Sequence, residues 1–420
     1  MSGGPPGKIP RNRIVLFFVT PFERFEMKIR SLKVRKGRRG FTLVEIMVVM
    51  TIIAILISIL VPAVGFVRES ARGSQCRASL RNFFLGYNGM ADRLKSSAYS
   101  TGNFDQTRDG CPDTYGWVAD LVNAKVCKPV ELLCPSNPGQ GSEKYRDIMG
   151  SATANTGTEA TTSTRQLAGA CQTTVDGNRM YSEFIAKGYG TNHMTTWFFG
   201  RSAPKTTGSG SAGVSTISIA ACKGLAGSKG PLTRRMVDQS PVTSNVIPMA
   251  GDANVGDVSD RFITADIVSP DDEVYLAQGS VAVETSSDGP KGINDPAAYP
   301  SDFLIFQASA SGATTGAAAD EQPKKGTAKK TNKQLSYLQD YRDFGPVHGG
   351  SCNVLFADGS VKSFQDLNGD TYLNPGFNAT TSSPTNFGYT ASDNELPEAE
   401  IFSGIFLEPY GASPKGNLDN

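Results

Sequence analysis

The 420-residue sequence predicts an α+β fold in which one long N-terminal helix packs on an antiparallel β-sheet. Three features predict it. Residues 41–67 form an apolar run whose only charge is Glu45, which at about 1.5 Å per residue makes roughly 40 Å of helix. An amphipathic stretch follows to residue 97. Near the other end, Asp358-Gly359 separates two apolar segments, as in a β-hairpin.

The apolar run at 41–67 is long enough to cross the roughly 30 Å hydrocarbon core of a bilayer. Residues 28–40, directly before it, carry seven Lys or Arg and no acidic residue, against four Arg between 68 and 81. Because basic flanks stay on the cytoplasmic side, we expect a single membrane span, a cytoplasmic N-terminus and an exported remainder.

The segment 40–45 reads GFTLVE, with a small residue before the apolar run. A secretory signal does not explain it, because such a signal has an apolar region of about 7 to 15 residues and is cleaved after it. The segment resembles the processing site of type IV prepilins and type II secretion pseudopilins, and Pro62 stands where many of them carry a helix-bending proline. The resemblance implies cleavage after Gly40 by a prepilin peptidase and N-methylation of Phe41 in the inner membrane.

The carboxylate of Glu45 is the feature that apolarity alone leaves unexplained. A charged side chain in hydrocarbon costs about 2.5–3.5 kcal/mol on insertion scales, so such residues usually have a function. The resemblance implies that Glu45 neutralises the N-terminal ammonium of a neighbouring subunit during assembly with other pilin-like subunits. A plain single-pass anchor, which needs only apolarity, is the alternative.

Residues 1–26 fit a prepilin leader poorly, because they contain an apolar patch at 14–19 and two Glu. A translational start at Met27 would leave a compact leader of 14 residues, and a longer leader is the alternative. The net charge of +1 gives no overall field for nucleic acid. Removal of residues 1–40 takes away 11 basic and 2 acidic side chains, so the mature chain would carry about −8.

Composition and periodicity divide the chain into segments with different expected roles. They are a basic leader (1–40), a transmembrane and assembly helix (41–67), an amphipathic helix (68–97), an expanded globular part (98–307), a low-complexity loop (308–334), a C-terminal hairpin (335–377) and a tail (378–420).

The amphipathic helix is predicted from apolar residues at helical spacing, with most charged residues off that stripe. Cys76 lies one turn before the stripe on the same face, and we expect a buried free thiol packed against the sheet. Two later apolar segments, 197–199 and 273–277, are predicted as strands. The stripe consists of Leu80, Phe83, Phe84, Tyr87, Met90 or Ala91, and Leu94.

Seven cysteines without a Cys-x-x-Cys pair give no support for a zinc ribbon. An exported domain can keep disulfides, and a local bridge between Cys127 and Cys134 is one candidate. We expect His193 to be a loop or packing residue. The fragments 134–136 (CPS) and 189–193 (YGTNH) resemble segments of large pilin-like bacterial proteins with an expanded globular part.

Near the C-terminus, His348 is followed after nine residues by Asp358-Gly359. This spacing resembles the His-x9-Asp-Gly motif of a processing-associated domain found with prepilin-type N-termini in bacteria. With both ends matched, the resemblance implies a pilin-like roll with large loop insertions. A two-residue type I′ turn at 358–359 would place His348 opposite Gly369, at the far end of a hairpin. Since extended chain separates His348 from Asp358 by roughly 30 Å, the motif is predicted to be a structural signature and not a catalytic dyad.

Asp366, Asn368 and Asp370 supply oxygen side chains at alternate positions, as calcium-binding loops begin. Thr371 and Phe377 stand where an EF-hand-type loop needs Gly and Glu. Major pseudopilins carry a calcium site in their C-terminal loop. Calcium binding and a plain Asx-rich turn both remain open.

The function predicted from these features is an exported pilin-like or pseudopilin-like structural subunit of a pilus or a type II secretion-like assembly. The alternative is a membrane-anchored binding or adhesive protein, periplasmic or at the cell surface, that forms no filament. An enzyme is not expected, because the sequence has only two His and neither a Gly-x-Ser-x-Gly nor a His-Glu-x-x-His motif.

Overall fold

The computed structural model of the chain describes residues 41–150, 155–157, 159–207, 216–217, 222–256, 261–287, 289–293, 306–308, 314–315, 335–374, 394–397, 399–405 and 407. The predicted leader at 1–40, which includes Gly40, lies outside the described residues. So do most of the low-complexity loop at 308–334 and most of the tail at 378–420.

Helices occur mainly in the first 240 residues. The α-helices in the described part are α1 (Leu43–Arg93), α2 (Trp117–Asn123), α3 (Lys144–Ile148), α4 (Ser163–Gln166), α5 (Gly177–Arg179), α6 (Trp197–Arg201) and α7 (Arg234–Gln239). Single turns of 3-10 helix lie at Pro129–Leu132, Gly169–Gln172 and Ser244–Val246, and a π-helical turn at Met180–Ile185 continues α5.

The strands are short. In chain order they are β1 (Gly141–Ser142), β2 (His193–Thr195), β3 (Thr206–Thr207), β4 (Thr216–Ile217), β5 (Pro248–Asp252), β6 (Ile267–Val268), β7 (Val274–Leu276), β8 (Ala282–Val283), β9 (Lys291–Ile293), β10 (Phe306–Ala308), β11 (Thr314–Thr315), β12 (Leu335–Leu338), β13 (Ser351–Phe356) and β14 (Val361–Gln365).

The chain divides into two compact units, Met1–Leu60 and Val61–Asn420. In the first unit, every residue that the structure describes is exposed. Helix α1 is long and apolar enough to cross a membrane, and its apolar first part is exposed along its whole length. Pro62 lies inside α1, at the start of the second unit.

The second unit contains a four-stranded antiparallel sheet of order β14-β13-β5-β2, in which β13, β5 and β2 are buried on both faces and the edge strand β14 is half-buried or exposed along most of its length. One face contributes to a large apolar core that includes Leu80, Trp117 and Leu355. A second cluster on the other face includes Val354 and Phe344. Adjacent residues of β13 therefore enter different cores, as the pleat of a strand requires. The predicted α+β fold with an antiparallel sheet is confirmed.

The C-terminal half of α1 packs into the first core through its predicted stripe. The ring of Phe83 meets Trp117 edge-on at a centroid distance of 5.2 Å, and Tyr87 lies 4.7 Å from Phe199. Phe84, Met90 and Leu94 are half-buried at the margin of the stripe. The buried residues recur every three or four positions, which confirms the stripe: Gly73, Cys76, Ser79, Leu80, Phe83, Gly86, Tyr87 and Ala91.

The prediction of a strand at 197–199 is wrong, because these residues begin helix α6. The hydroxyl of Thr196 accepts a hydrogen bond from the backbone N–H of Phe199 at 3.1 Å, which is an N-cap. A three-residue apolar run has no periodicity of its own, so the cap decides its conformation. The strand predicted at 273–277 is confirmed as β7.

The C-terminal hairpin differs from the prediction in its turn. Cys352 pairs with Phe364, and the loop contains three residues, 357–359. Only Gly359 in that loop has a positive φ, of 84°, so the two-residue type I′ turn is wrong and the register shifts by one residue. The oxygen Oδ1 of Asp358 accepts hydrogen bonds from the N–H and hydroxyl of Ser360, at 2.8 and 2.6 Å.

The hairpin also ends earlier than predicted. The backbone N–H of His348 donates to the carbonyl of Ser351, whose own N–H donates back to the carbonyl of His348. Gly349 and Gly350, with φ of 62° and 87°, make this tight turn. The chain therefore turns before β13, and His348 does not lie opposite Gly369.

The disulfide of the described chain joins Cys111 to Cys171, whose Cα atoms are 5.9 Å apart. The predicted bridge between Cys127 and Cys134 is wrong, because the sulfur of Cys134 faces the ring of His348 at 3.3 Å and Cys127 packs against the first core. The prediction that Cys76 is a buried free thiol is confirmed.

Replacement of Gly359 by Ala tests the contact between the hairpin loop and α1. A Cβ at Gly359 would lie 2.5 Å from the ring of Phe84, and at Gly279, with a φ of 83°, it would meet nothing within 4 Å. The control Gly279→Ala should therefore lower the free energy of unfolding by about 1 kcal/mol through backbone strain alone. Gly359→Ala should lower it by about 2–4 kcal/mol, since overpacking adds to the strain. The free energies are measured by equilibrium unfolding of the detergent-solubilised chain. Equal losses of unfolding free energy in the two variants would contradict this packing.

Candidate functional site

The first candidate site is the start of α1. The carboxylate oxygen Oε2 of Glu45 accepts hydrogen bonds from the backbone N–H and the hydroxyl of Thr42, at 2.8 and 3.0 Å. The N–H of Glu45 donates to the hydroxyl of Thr42 at 3.2 Å. This reciprocal pair is a capping box, so Glu45 also stabilises the first turn of its own helix. Phe41, the expected first residue of the mature chain, is 80% exposed.

The second candidate site is a buried polar cluster of Cys76, Cys134, Asp252 and His348. The four residues come from α1, the segment after the first 3-10 turn, the end of β5 and the turn before β13. One donor atom from each lies within 4.8 Å of the others. The thiol of Cys76 is 2.9 Å from Oδ1 of Asp252, and Nε2 of His348 is 3.3 Å from both the Cys134 sulfur and Oδ2 of Asp252.

Cys134 is held by the two fragments that the sequence marked separately. Its backbone N–H donates to Oδ1 of Asn192 at 2.7 Å, and the Asn192 amide donates to the carbonyls of Cys134 and Gly139, both at 3.0 Å. The amide of Asn137 adds a bond to the carbonyl of Ala253 at 2.7 Å. The segments 134–137 and 189–193 therefore meet beside the central sheet and fix the position of the Cys134 sulfur.

Asp252 lies at the end of a central strand and is fully buried. Its oxygen Oδ2 accepts hydrogen bonds from the backbone N–H and the side-chain amide of Asn353, at 2.8 and 2.9 Å. In the neighbouring strand β2, His193 pairs directly with Asp252. These contacts leave Oδ1 directed at the Cys76 thiol.

His193 is a fully buried strand residue and not a loop residue. Its ring packs edge-on against Phe83, and Nε2 lies 3.0 Å from the carbonyl oxygen of Leu132. A carbonyl only accepts, so Nε2 carries a hydrogen. The other nitrogen, Nδ1, has no hydrogen-bond partner in the described structure and lies 3.8 Å from Oδ1 of Asp252.

The ring of His348 is oriented by a carboxylate from α1. Its Nδ1 lies 3.0 Å from Oε1 of Glu69, which also accepts a hydrogen bond from the hydroxyl of Ser136 at 2.6 Å. Arg72 lies 3.7 Å from the other oxygen of Glu69. Burial opposes ionisation of Glu69, but the bonds from Ser136 and His348 outweigh it and lower the pKa of that carboxyl.

The charges of the cluster depend on one another. A hydrogen bond with Cys76 and one with His348 lower the pKa of the Cys134 thiol to about 6 against the effect of burial. Burial alone would lower the pKa of His348, but Asp252 and Cys134 raise it to about 10. Burial likewise disfavours ionised Asp252, and its contacts with the two histidines lower its pKa below the usual value.

A Cys–His pair of this kind is the chemistry of an activated thiol nucleophile. Cys134 is fully buried, however, so a substrate has no access to its sulfur in this conformation. Two thiols, an imidazole and a carboxylate are also ligands that zinc accepts. The arrangement therefore fits metal coordination better than covalent catalysis.

The two ends of the His-x9-Asp-Gly segment both contact α1. A Cβ at Gly73 would lie 3.6 Å from Nδ1 of His348, and the loop at Gly359 packs on Phe84. The six residues of β13 and the eleven-residue step from Gly73 to Phe84 both span about 17 Å. His348 and Asp358 do not meet, as predicted, and the spacing matches one stretch of helix.

The predicted calcium residues form a separate loop after β14. Asp366 accepts the N–H groups of Gly369 and Thr371, at 2.7 and 3.0 Å, and Asn368 accepts that of Asp370 at 2.9 Å. Such bonds are those of an Asx-rich turn. Calcium binding at this loop stays a prediction.

Sequence reasoning missed Asp252 in the buried cluster, the Glu69 carboxylate beside the cluster and the acid that supports the loop after β14. Asp252 is an acid within a short apolar strand segment, and Glu69 is an acid among the arginines of α1; either anomaly could have marked them. Glu395, which accepts the N–H groups of Leu367 and Asn374 at 2.6 and 2.9 Å, carries no comparable local signal.

Replacement of Asn192 by Asp tests whether the Cys134 segment depends on this side chain. The change turns two donated hydrogen bonds into contacts between acceptors, at a fully buried position. The free energy of unfolding should fall by about 2–4 kcal/mol, because buried groups lose their partners. The control Asn245→Asp, at an exposed position, should stay within about 0.5 kcal/mol. Similar values for both variants in chemical denaturation would contradict this role of Asn192.

Comparison with known proteins supports the N-terminal site. A family model described as the prokaryotic N-terminal methylation motif matches residues 35–61, which include Gly40, Phe41 and Glu45. No curated protein and no solved structure matches the chain. The match does not reach the C-terminal segment, so the resemblance of residues 348–359 rests on their own spacing. The chain carries a prepilin-type N-terminal methylation motif at the start of a long apolar helix.

Proposed function

We propose that the chain is an exported pilin-like or pseudopilin-like structural subunit, cleaved after Gly40 by a prepilin peptidase and N-methylated at Phe41. The observation that carries this proposal is the methylation motif at residues 35–61, located where α1 begins. The subunit would serve a pilus or a type II secretion-like assembly in the inner membrane, with its C-terminal unit periplasmic or at the cell surface.

The exposure of the first part of α1 supports assembly through this helix. All residues from 41 to 68 are exposed, and most are apolar. Such a surface needs lipid around it before assembly and neighbouring apolar helices afterwards. The partners of the helix would thus be the membrane and the helices of other pilin-like subunits.

The role of the second unit in this proposal is structural and not enzymatic. Its Cys–His pair is enclosed by α1 and the sheet, and Asp358 caps the hairpin loop. In this proposal, the second unit is the exported globular part of the subunit, and the first part of α1 anchors it in the membrane.

Mass spectrometry of the native N-terminus tests the processing step. We expect a mature chain that begins with N-methyl-Phe41, because the methylation motif covers Gly40 and Phe41 and the resemblance to prepilins implies a cut between them. Gly40→Val, which puts a β-branched residue at the cut, should leave the leader attached. A wild-type mature chain that begins upstream of Phe41 would contradict the proposal.

Three variants at the start of α1 separate the charge of Glu45 from its capping role. Glu45→Gln keeps an acceptor for the capping box but loses the charge, whereas Thr42→Ala keeps the charge and loses the cap. If Glu45 neutralises a neighbour's ammonium, Glu45→Gln should lose subunit cross-linking as fully as Glu45→Ala does. Thr42→Ala should keep cross-linking near the wild-type level. A wild-type level of subunit cross-linking in Glu45→Gln would contradict the proposed charge pairing.

A further inference from the structure

We propose that Cys76, Cys134, Asp252 and His348 form a four-coordinate site for a divalent transition metal, and that the ion is zinc. Two sulfurs, one imidazole nitrogen and one carboxylate oxygen make a mixed donor set of the kind that zinc binds tetrahedrally. The site lies outside the methylation motif, so it is independent of the proposed function.

Two distances between donor atoms agree with a tetrahedral ion, whereas the 2.9 Å between the Cys76 sulfur and Oδ1 of Asp252 is shorter than such an ion allows. Zinc–sulfur bonds of about 2.3 Å and zinc–nitrogen or zinc–oxygen bonds of about 2.0–2.1 Å place ligand atoms about 3.3–3.8 Å apart. The Cys134 sulfur and Nε2 of His348 are 3.3 Å apart, as are that nitrogen and Oδ2 of Asp252. All four donors lie within 4.8 Å of one another. Small side-chain shifts would therefore suffice for coordination.

His193 provides a second, independent observation. Its Nε2 carries a hydrogen towards the carbonyl of Leu132, so in the neutral ring Nδ1 presents a lone pair. That lone pair is buried without a partner and lies 3.8 Å from Oδ1 of Asp252. Two acceptors that face each other in a buried place repel unless a positive charge lies near them. The ring of His348, 3.3 Å from Oδ2 of Asp252, supplies that charge when it is protonated, and a metal ion bound by both residues would supply it in place of the ring proton.

The groups around the cluster hold the ligands as supporting residues do in metal sites. The carboxylate of Glu69 faces Nδ1 of His348 at 3.0 Å, which leaves Nε2 directed into the cluster. Metal-binding histidines commonly have such a carboxylate partner. Asn353 fixes Asp252, and Asn192 fixes the backbone of Cys134.

Burial and ligand count make this a structural site. Three ligands are fully buried, His348 is 9% exposed, and the protein fills all four positions. A closed site of this type contributes to folding rather than to substrate turnover. Because Cys76 belongs to α1 and the other ligands follow later in the chain, the ion would hold the amphipathic half of α1 on the sheet.

Elemental analysis of the full-length chain, purified in detergent with reductant and then incubated with zinc, tests the proposal. We expect close to one zinc per chain after removal of free metal. Cobalt in place of zinc should give the strong visible absorption of a tetrahedral thiolate site, and chelation should lower the thermal midpoint. Absence of bound zinc and of the cobalt spectrum in the wild-type chain would overturn the site without any variant.

Two cysteine variants complete the test. Cys134→Ser should lose the bound zinc and the cobalt–thiolate absorption, whereas Cys127→Ser, outside the cluster, should keep both. A circular dichroism spectrum and a cooperative thermal transition like those of the wild-type chain show that a variant has folded. Wild-type metal content in Cys134→Ser would overturn the assignment. Recovery of a Cys76–Cys134 disulfide from the native exported protein would do the same, because both thiols would then be consumed.

Discussion

Burial of the Asp252 carboxylate between α1 and the central sheet is the constraint that explains most of the second unit. A carboxylate at zero exposure destabilises a fold by several kcal/mol unless charged and hydrogen-bonded partners surround it. Those partners come from every element nearby: Cys76 from α1, His193 from β2, and His348 and Asn353 from either side of the start of β13. The apolar stripe of α1 supplies the area of the interface, and the polar contacts at one end of that stripe set its position along the sheet.

The packing of α1 on the sheet also explains the spacing between His348 and Asp358-Gly359. A tight turn at two glycines directs His348 towards Glu69 and Asp252, and the next tight turn brings Gly359 against Phe84. The strand between these two turns is about as long as the stretch of α1 from Gly73 to Phe84. An insertion in this segment would release one of the two contacts. The number of residues between His348 and Asp358 in this chain therefore fits the helix geometry without any reaction between the two side chains.

The sequence predicted the features that depend on local pattern. Apolar length and helical spacing predicted α1 and its stripe, and the glycine at 359 predicted the hairpin. Its register could not be predicted, because one positive φ in place of two changes the loop from two residues to three. The buried cluster could not be predicted either, since 176 residues separate Cys76 from Asp252 and 214 separate Cys134 from His348. Cys76, Cys134 and His348 each had a local explanation in the sequence, and only the tertiary structure brings them together with Asp252.

Native-state hydrogen exchange tests most directly whether α1 and the sheet form one cooperative unit through Asp252. If they do, the amides of residues 76–91 in α1 and those of β13 should exchange with the same opening free energy. In Asp252→Asn that free energy should fall by the same amount in both elements, because both lose the same buried contacts. Rapid exchange of the helix amides beside unchanged protection of β13, in either protein, would contradict it.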